Sequence, residues 1–101
     1  MKDTKVLIIG MGRSGRAAAG ALIEEGAEVS IQDSKKAADF EPEFLEEMRA
    51  AGVKEYLGCV PEDMSAYDML VLSPGVPPRL DFIQDAKASG AEVIGELELE
   101  S

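Results

Sequence analysis

The chain has 101 residues, a formal charge of −10 from 20 acidic and 10 basic residues, no histidine and one cysteine. This length supports one domain with one hydrophobic core, and a content of 46% hydrophobic and 30% charged residues is that of a globular protein. The negative charge disfavours nucleic acid and anionic membranes as partners, and no apolar run is long enough to span a bilayer.

The missing histidine removes the usual general base near neutral pH and the commonest metal ligand. We therefore expect a binding domain without catalytic residues or a metal site. The N-terminal residues show no signal-peptide pattern, and the single Cys59 excludes an internal disulfide framework. A cytoplasmic location is expected.

The first predicted element is a strand from Lys5 to Ile9, whose unbroken aliphatic run is typical of a parallel sheet. The sequence GMGRSG follows at residues 10–15. A helix is predicted from Ser14 to Glu25, because small helix-forming residues end at Gly26, which suits the left-handed position after a helix. The alternating residues 28–33 predict a second strand.

A second helix is predicted from Pro42 to Gly52, since proline favours the first turn and apolar residues follow at helical spacing. Residues 54–57 predict a short third strand. Residues 58–67 have no clear periodicity and are predicted to be a loop, with room for one helical turn after Pro61.

A fourth strand is predicted over residues 69–72, and it must end at residues 73–78 because three prolines there cannot continue a central strand. A short amphipathic helix over residues 81–89 and a fifth strand over residues 92–95 follow. Residues 96–101 are expected to begin a new segment.

Five strands that alternate with helices predict an α/β domain over residues 1–95, a three-layer Rossmann-like fold with an open parallel five-stranded sheet. Right-handed crossovers make 3-2-1-4-5 the expected strand order. Ligands of such sheets bind beyond the carboxyl ends of the strands where the order reverses, which here lies between strands one and four.

The loop after strand one has the GxGxxG spacing, in which glycines permit a tight turn, close approach of a ligand and close packing of helix on strand. We expect Gly12, Arg13 and Ser14 to bind a phosphate through exposed amides at the positive end of the helix. A glycine turn with a purely structural role is the alternative.

Asp33 ends the second strand beside this loop, where its carboxylate is expected to accept hydrogen bonds from ribose hydroxyls or a base N–H. The alternative is a solvated carboxylate at a strand end. The loop after strand four offers the Ser73 hydroxyl and the amides of Gly75 and Val76, while Pro74 restricts its backbone. A simple strand-ending turn is the alternative there.

Basic residues in an otherwise acidic chain fall in these same loops, which favours an anionic ligand. They are Arg13, Lys35, Lys36 and Arg79. No histidine can activate the serines as nucleophiles, so capping or ligand-binding roles are expected for Ser14, Ser34 and Ser73.

Four motifs in this order resemble the N-terminal domain of the Mur ligase family, in its D-glutamate-adding branch. The motifs are VLIIGMGRSG at residues 6–15, DSK at 33–35, SPGVP at 73–77 and GELEL at 95–99. The resemblance covers nearly the whole chain and implies a three-domain cytoplasmic enzyme that uses ATP and Mg²⁺ to join D-glutamate to UDP-N-acetylmuramoyl-L-alanine in peptidoglycan precursor synthesis.

The resemblance also implies residue roles and partners. Arg13 and Ser14 would contact the diphosphate, Asp33, Ser34 and Lys35 the uridine, and Ser73 and Gly75 the diphosphate or the sugar. The domain would hold the UDP moiety and contact a central and a C-terminal domain, and residues 96–101 would begin a linker to the ATP-binding domain. No P-loop pattern occurs in these 101 residues, so they are expected to be inactive alone and to contain no cofactor site.

Two other functions fit the residues. The GxGxxG sequence with Asp33 also suits an NAD(P)-binding module of an oxidoreductase or a regulatory domain, although that fingerprint does not require the SPGVP segment. A stand-alone interaction module with a structural glycine loop is the third possibility.

Overall fold

The computed structural model describes residues 3–95, so the predicted linker at residues 96–101 lies outside the described residues. Five parallel strands form one sheet in the order β3-β2-β1-β4-β5, as predicted. The strands are β1 (Lys5–Ile9), β2 (Glu28–Asp33), β3 (Lys54–Leu57), β4 (Met69–Leu72) and β5 (Glu92–Gly95). The helices are α1 (Arg13–Glu24), α2 (Pro42–Ala50) and α3 (Asp81–Ala88), with short 3-10 turns at Ala37–Asp39 and Met64–Ala66.

Two clusters of buried residues, one on each face of the sheet, together form the core of the domain and confirm the three-layer arrangement. Val6 and Ile8 of β1 face the core that α1 and α2 cover, whereas Leu7 and Ile9 face the core under α3 and the turn Met64–Ala66. Because successive side chains of a strand point to opposite faces, β1 needs apolar residues at every position, and this explains its unbroken aliphatic sequence.

Strand register brings the three carboxyl-end loops to one edge of the sheet. Ile9, the last residue of β1, pairs with Gln32 of β2 on one side and with Leu72 of β4 on the other. The segments that follow these strands therefore start at the same level, and the predicted ligand crevice lies between them.

The predicted loop at residues 58–67 does contain a helical turn after Pro61. Asp63 caps the turn Met64–Ala66 by accepting a hydrogen bond from the Ser65 N–H at 3.0 Å, and Met64 is buried. The polar residues Ser30 and Gln32 of β2 are 5% and 6% exposed, and the Gln32 side chain donates to the carbonyl of Cys59 in this segment. The alternating pattern of β2 does not mark a solvent-facing side.

Candidate functional site

Gly10 fits a position that no other residue could take without strain. Its φ is +93°, and a Cβ at this position would lie 2.9 Å from the Ser73 side chain. The Gly10 N–H donates to the Gln32 carbonyl at 2.8 Å, which continues the β1–β2 pairing by one residue. Glycine is therefore required where the chain leaves β1.

Gly15 sets the distance between α1 and the end of β1. A Cβ at Gly15 would lie 1.9 Å from the carbonyl oxygen of Gly10, far inside contact distance. The third glycine of the GxGxxG sequence thus allows close packing of helix on strand, as predicted.

The amino end of α1 is open to solvent at Gly12. This residue precedes the helix in an extended conformation, with φ −77° and ψ −168°, and nothing lies within 4 Å of a Cβ built on it. The first intrahelical bond runs from the Arg16 N–H to the Gly12 carbonyl at 3.0 Å, which leaves the first-turn amides without intrahelical acceptors. No acidic residue stands in this turn, so its positive end remains available to an anion.

Ser14 lies inside the first turn of α1, one residue after the helix begins at Arg13. No side chain caps this helix by a hydrogen bond, so a capping role for Ser14 is wrong. The helix starts earlier than predicted because the extended Gly12 takes the capping position. Arg13 is exposed beside it.

Both oxygens of the Asp33 carboxylate accept hydrogen bonds from backbone N–H groups. Oδ2 accepts a hydrogen bond from the Met11 N–H at 2.7 Å, and Oδ1 accepts one from the Lys35 N–H at 2.8 Å. The carboxylate therefore ties the glycine loop to the segment after β2, a role that the sequence did not predict. Each oxygen keeps a second lone pair for a ligand donor.

Ser73 joins the loops that follow β4 and β1. Its hydroxyl donates to the Gly10 carbonyl at 2.8 Å, and its own carbonyl accepts the Val76 N–H at 3.0 Å in a turn. Because a hydroxyl carries one proton, Ser73 in this conformation can accept from a ligand but cannot donate to a phosphate. Pro74 and Gly75 are exposed at the tip of the turn, and a Cβ on Gly75 would meet nothing within 4 Å.

A cleft of about 270 Å³ opens between these loops. Of the predicted site residues, Asp33, Ser34, Gly75 and Val76 line it. Gly12, Arg13, Ser14, Lys35, Ser73 and Pro74 do not line it and belong to the adjoining loop segments. The cleft is also lined by residues that the sequence did not single out as ligand-binding: Ile9, Gly10, Gln32, Pro77, Leu80 and Phe82.

Gln32 and Leu80 show why these lining residues were missed. The buried amide of Gln32 donates from Nε2 to the Cys59 carbonyl at 3.0 Å, so it joins the floor of the cleft to the segment after β3. Leu80 precedes α3, lines the cleft and is 37% exposed. The linear sequence carries no signal that separates either residue from an ordinary strand or helix position.

Arg16 contacts the glycine loop and the start of α2. Its guanidinium forms an ion pair with Glu41 at 2.7 Å and lies 4.3 Å from the centroid of the Phe44 ring. The hydrogen bond from Arg16 holds the pKa of the Glu41 carboxyl below its usual value, and the positive charge of Arg16 acts in the same direction. Arg16 Nε also donates to the Met11 carbonyl at 3.3 Å.

Within residues 3–95 there is no group of three or more Cys, Asp or Glu side chains placed to hold a metal ion. Over the same residues, no helix combines the length and the apolarity needed to cross a membrane.

A family model for the N-terminal domain of MurD-like Mur ligases matches residues 4–95. The chain belongs to this family. The match spans every strand and helix from β1 to β5, so the MurD-like domain and the described fold coincide.

Curated relatives of this MurD-like domain carry the name UDP-N-acetylmuramoylalanine--D-glutamate ligase. The relative from Pelotomaculum thermopropionicum is 43% identical over 94% of this chain and 21% of its own length. Those from Alkaliphilus metalliredigens and Clostridioides difficile are 37% and 38% identical, each over 98% of this chain and 22% of the relative. The chain thus spans about a fifth of the length of these ligases.

Solved structures share the fold of this MurD-like domain. A pseudomurein peptide ligase type C from Methanothermus fervidus superposes with a TM-score of 0.76 at 23% identity, over 96% of this chain and 20% of that one. A shikimate dehydrogenase from Aquifex aeolicus gives 0.59 at 16% identity, over 98% and 44%. At these identities the likeness concerns the Rossmann-like fold, which ligases and dehydrogenases share.

Proposed function

We propose that the chain binds the UDP moiety of UDP-N-acetylmuramoyl-L-alanine, as the N-terminal domain of an ATP-dependent ligase that adds D-glutamate to this substrate in peptidoglycan precursor synthesis. One observation carries the proposal. The open amino end of α1 and the cleft beyond the carboxyl ends of β1 and β4 lie among the loops that follow β1, β2 and β4, and hydrogen bonds from Ser73 and to Asp33 join these loops. The names of the curated relatives supply the identity of the ligand.

The diphosphate binds at the start of α1 in this proposal. Gly12, Arg13 and Ser14 contribute backbone amides, and the Ser14 hydroxyl adds a donor. Arg13 stands in the first turn of α1, where the helix dipole disfavours positive charge. A bound diphosphate offsets this repulsion, and the acidic chain has no carboxylate in that turn to do so.

The uridine binds along the segment after β2. Asp33 uses its remaining lone pairs to accept from a ribose hydroxyl or the uracil N–H, while the exposed Ser34 and Lys35 add polar contacts from the same segment. The apolar lining of the cleft, which includes Ile9, Leu80 and Phe82, suits a flat pyrimidine ring.

The loop after β4 faces the diphosphate or the sugar in this proposal. Gly75 and Val76 line the cleft and allow close approach of a ligand to their backbone, and Pro74 limits the ordering that binding requires. Ser73 accepts a hydrogen bond from a sugar hydroxyl in this proposal, because its proton is used by the Gly10 carbonyl.

The remaining chemistry belongs to other domains of the proposed enzyme. ATP would transfer its γ-phosphoryl group to the substrate carboxylate and leave as ADP, and the D-glutamate amine would then displace phosphate. A central and a C-terminal domain would hold ATP and Mg²⁺. In this proposal the present domain binds and orients the substrate through its UDP moiety. The proposed enzyme works in the cytoplasm, where nucleotide-linked precursors and ATP are present, without nucleic acid or membrane as partner.

The NAD(P)-binding alternative has support from the fold alone, through dehydrogenases such as that of Aquifex aeolicus. The ligase names of relatives at 33–43% identity favour the UDP ligand. Isothermal titration of the 101-residue chain with UDP-N-acetylmuramoyl-L-alanine, UDP and NADH separates the two functions. We expect heat from both uridine ligands and none from NADH, and a preference for NADH would overturn the proposal.

A further inference from the structure

Both backbone groups of Met11, the N–H and the carbonyl, form hydrogen bonds with side chains, although this residue stands between two glycines. Its N–H donates to Asp33 Oδ2 at 2.7 Å, and its carbonyl accepts from Arg16 Nε at 3.3 Å. Its side chain is 2% exposed and packs in the core that α1 and α2 cover. Gly10 and Gly12 would otherwise leave this residue free to rotate, because glycine restricts the backbone least.

Arg16 is itself fixed by the start of α2. The ion pair to Glu41 and the Phe44 ring hold the guanidinium from two directions, and Phe40 lies 5.9 Å from it. An exposed ion pair alone contributes little stability, and the Arg16 side chain is 36% exposed. The aromatic contact and the planar shape of the guanidinium fix its direction, so that Nε faces the glycine loop.

We propose that Arg16 is a positioning residue for the glycine loop at residues 10–15. Together with Asp33 it fixes the two peptide groups of Met11, and the amides at the start of α1 are then oriented to bind a phosphate. This inference rests on the proposed function, because the ligand it serves is the diphosphate. Arg16 does not line the β1–β4 cleft and acts through Met11.

A preformed loop raises affinity because the ordering of its backbone does not have to occur on binding. Loss of the Arg16 contact leaves the Met11 carbonyl without this donor and frees the Met11–Gly12 peptide to rotate. The loss is expected to weaken ligand binding more than it weakens the fold, since the core under α1 and α2 stays packed.

The test uses Arg16→Met, which keeps an unbranched apolar stem over Phe44, and Arg16→Lys, which keeps the positive charge. The matched control is Arg49→Met, which removes an exposed arginine whose guanidinium binds Glu55 through two hydrogen bonds of 3.0 Å at the far end of α2. UDP affinity is measured by titration, the fold by urea unfolding, and the loop by hydrogen exchange of the Gly12 and Arg13 amides.

We expect both Arg16 variants to bind UDP roughly fivefold more weakly and to exchange these amides faster, while Arg49→Met binds like the wild type at a similar loss of stability. In a cycle with Asp33→Asn, the two losses should be non-additive, because both residues act on Met11. Wild-type UDP affinity in Arg16→Lys would mean that only the positive charge at this position matters. Wild-type UDP affinity in Arg16→Met would mean that Arg16 has no role in binding. Either result overturns the inference alone, whereas failure of the wild type to bind UDP overturns the proposed function and the inference together.

Discussion

The hydroxyl of Ser73 donates a hydrogen bond of 2.8 Å to the carbonyl oxygen of Gly10, across 63 residues of sequence. This bond joins the loop that ends β4 to the loop that ends β1, at the point where the strand order reverses. A Cβ on Gly10 would collide with the same serine, so the two loops meet at closest approach here. The two halves of the proposed site therefore depend on each other.

Ser73→Ala tests this dependence. The substitution removes the donor to the Gly10 carbonyl, and we expect a loss of about 1 kcal/mol in the free energy of unfolding and a roughly fivefold weaker UDP affinity. Urea denaturation and isothermal titration measure the two effects. Ser89→Ala, at an exposed position after α3, is the control and should change neither. Wild-type affinity in Ser73→Ala would show that the loops hold their geometry without the bond.

Gly75→Val is expected to abolish UDP binding in a folded domain. Nothing lies within 4 Å of a Cβ at Gly75, so the fold can accept a side chain, but that side chain would occupy the cleft. Gly20→Val adds the same side chain at another open, exposed position, on α1, and should bind UDP normally. Circular dichroism checks the fold of both variants. Unchanged UDP affinity in Gly75→Val would show that the loop after β4 is not part of the binding site.

Gly15→Ala is expected to destabilise the domain by more than about 2 kcal/mol, because the new methyl group would overlap the Gly10 carbonyl and push α1 away from β1. Gly12→Ala is the comparison, since a Cβ there meets nothing within 4 Å. Urea denaturation should show a large loss for the first variant and a small change for the second. Similar losses in both would mean that backbone freedom, and not contact, is what the loop requires.

The fold could be predicted because each signal was local. The aliphatic run of β1, the prolines after β4 and the glycines after the helices each mark an element or its end, and Gly26 and Gly90 do take positive φ values of 87° and 103°. Residues 58–67 were harder, because that segment is held by single contacts, such as the bond from Gln32 to the Cys59 carbonyl, rather than by a periodic pattern.

The site could be predicted as a set of loops, but not as a set of contacts. Asp33 lines the cleft and Ser73 adjoins it, and both use hydrogen-bonding capacity on backbone groups distant in sequence. Arg16 was not singled out, because its partner Glu41 is distant in sequence and meets it only in the folded domain. Such pairings depend on tertiary structure, which no short motif encodes.

Tyr67 gives the domain a predicted sensitivity to alkaline pH. Burial of its hydroxyl, and then its hydrogen bond with Tyr56, raise the pKa of Tyr67 to about 12 from 10.0, and a bond with Ser30 opposes the shift. A pKa that is higher in the folded state means that folding favours the protonated phenol. Its contribution to stability is complete below pH 10 and is lost as the pH rises toward 12.

Tyr67→Phe should therefore reduce the decrease in the free energy of unfolding that accompanies a rise to alkaline pH. At about pH 8 the variant is expected to be less stable than the wild type, because it lacks the polar contacts of the Tyr67 hydroxyl with Ser30 and Tyr56. At about pH 11 the difference should be smaller, since the wild type then loses the stabilisation that the protonated phenol gives and the variant has no phenol at this position to ionise. Urea denaturation at both pH values, at equal ionic strength, measures the change. An equal difference at the two pH values would show that Tyr67 ionises alike in the folded and unfolded chains, and that its partial burial does not cause the loss of stability at alkaline pH.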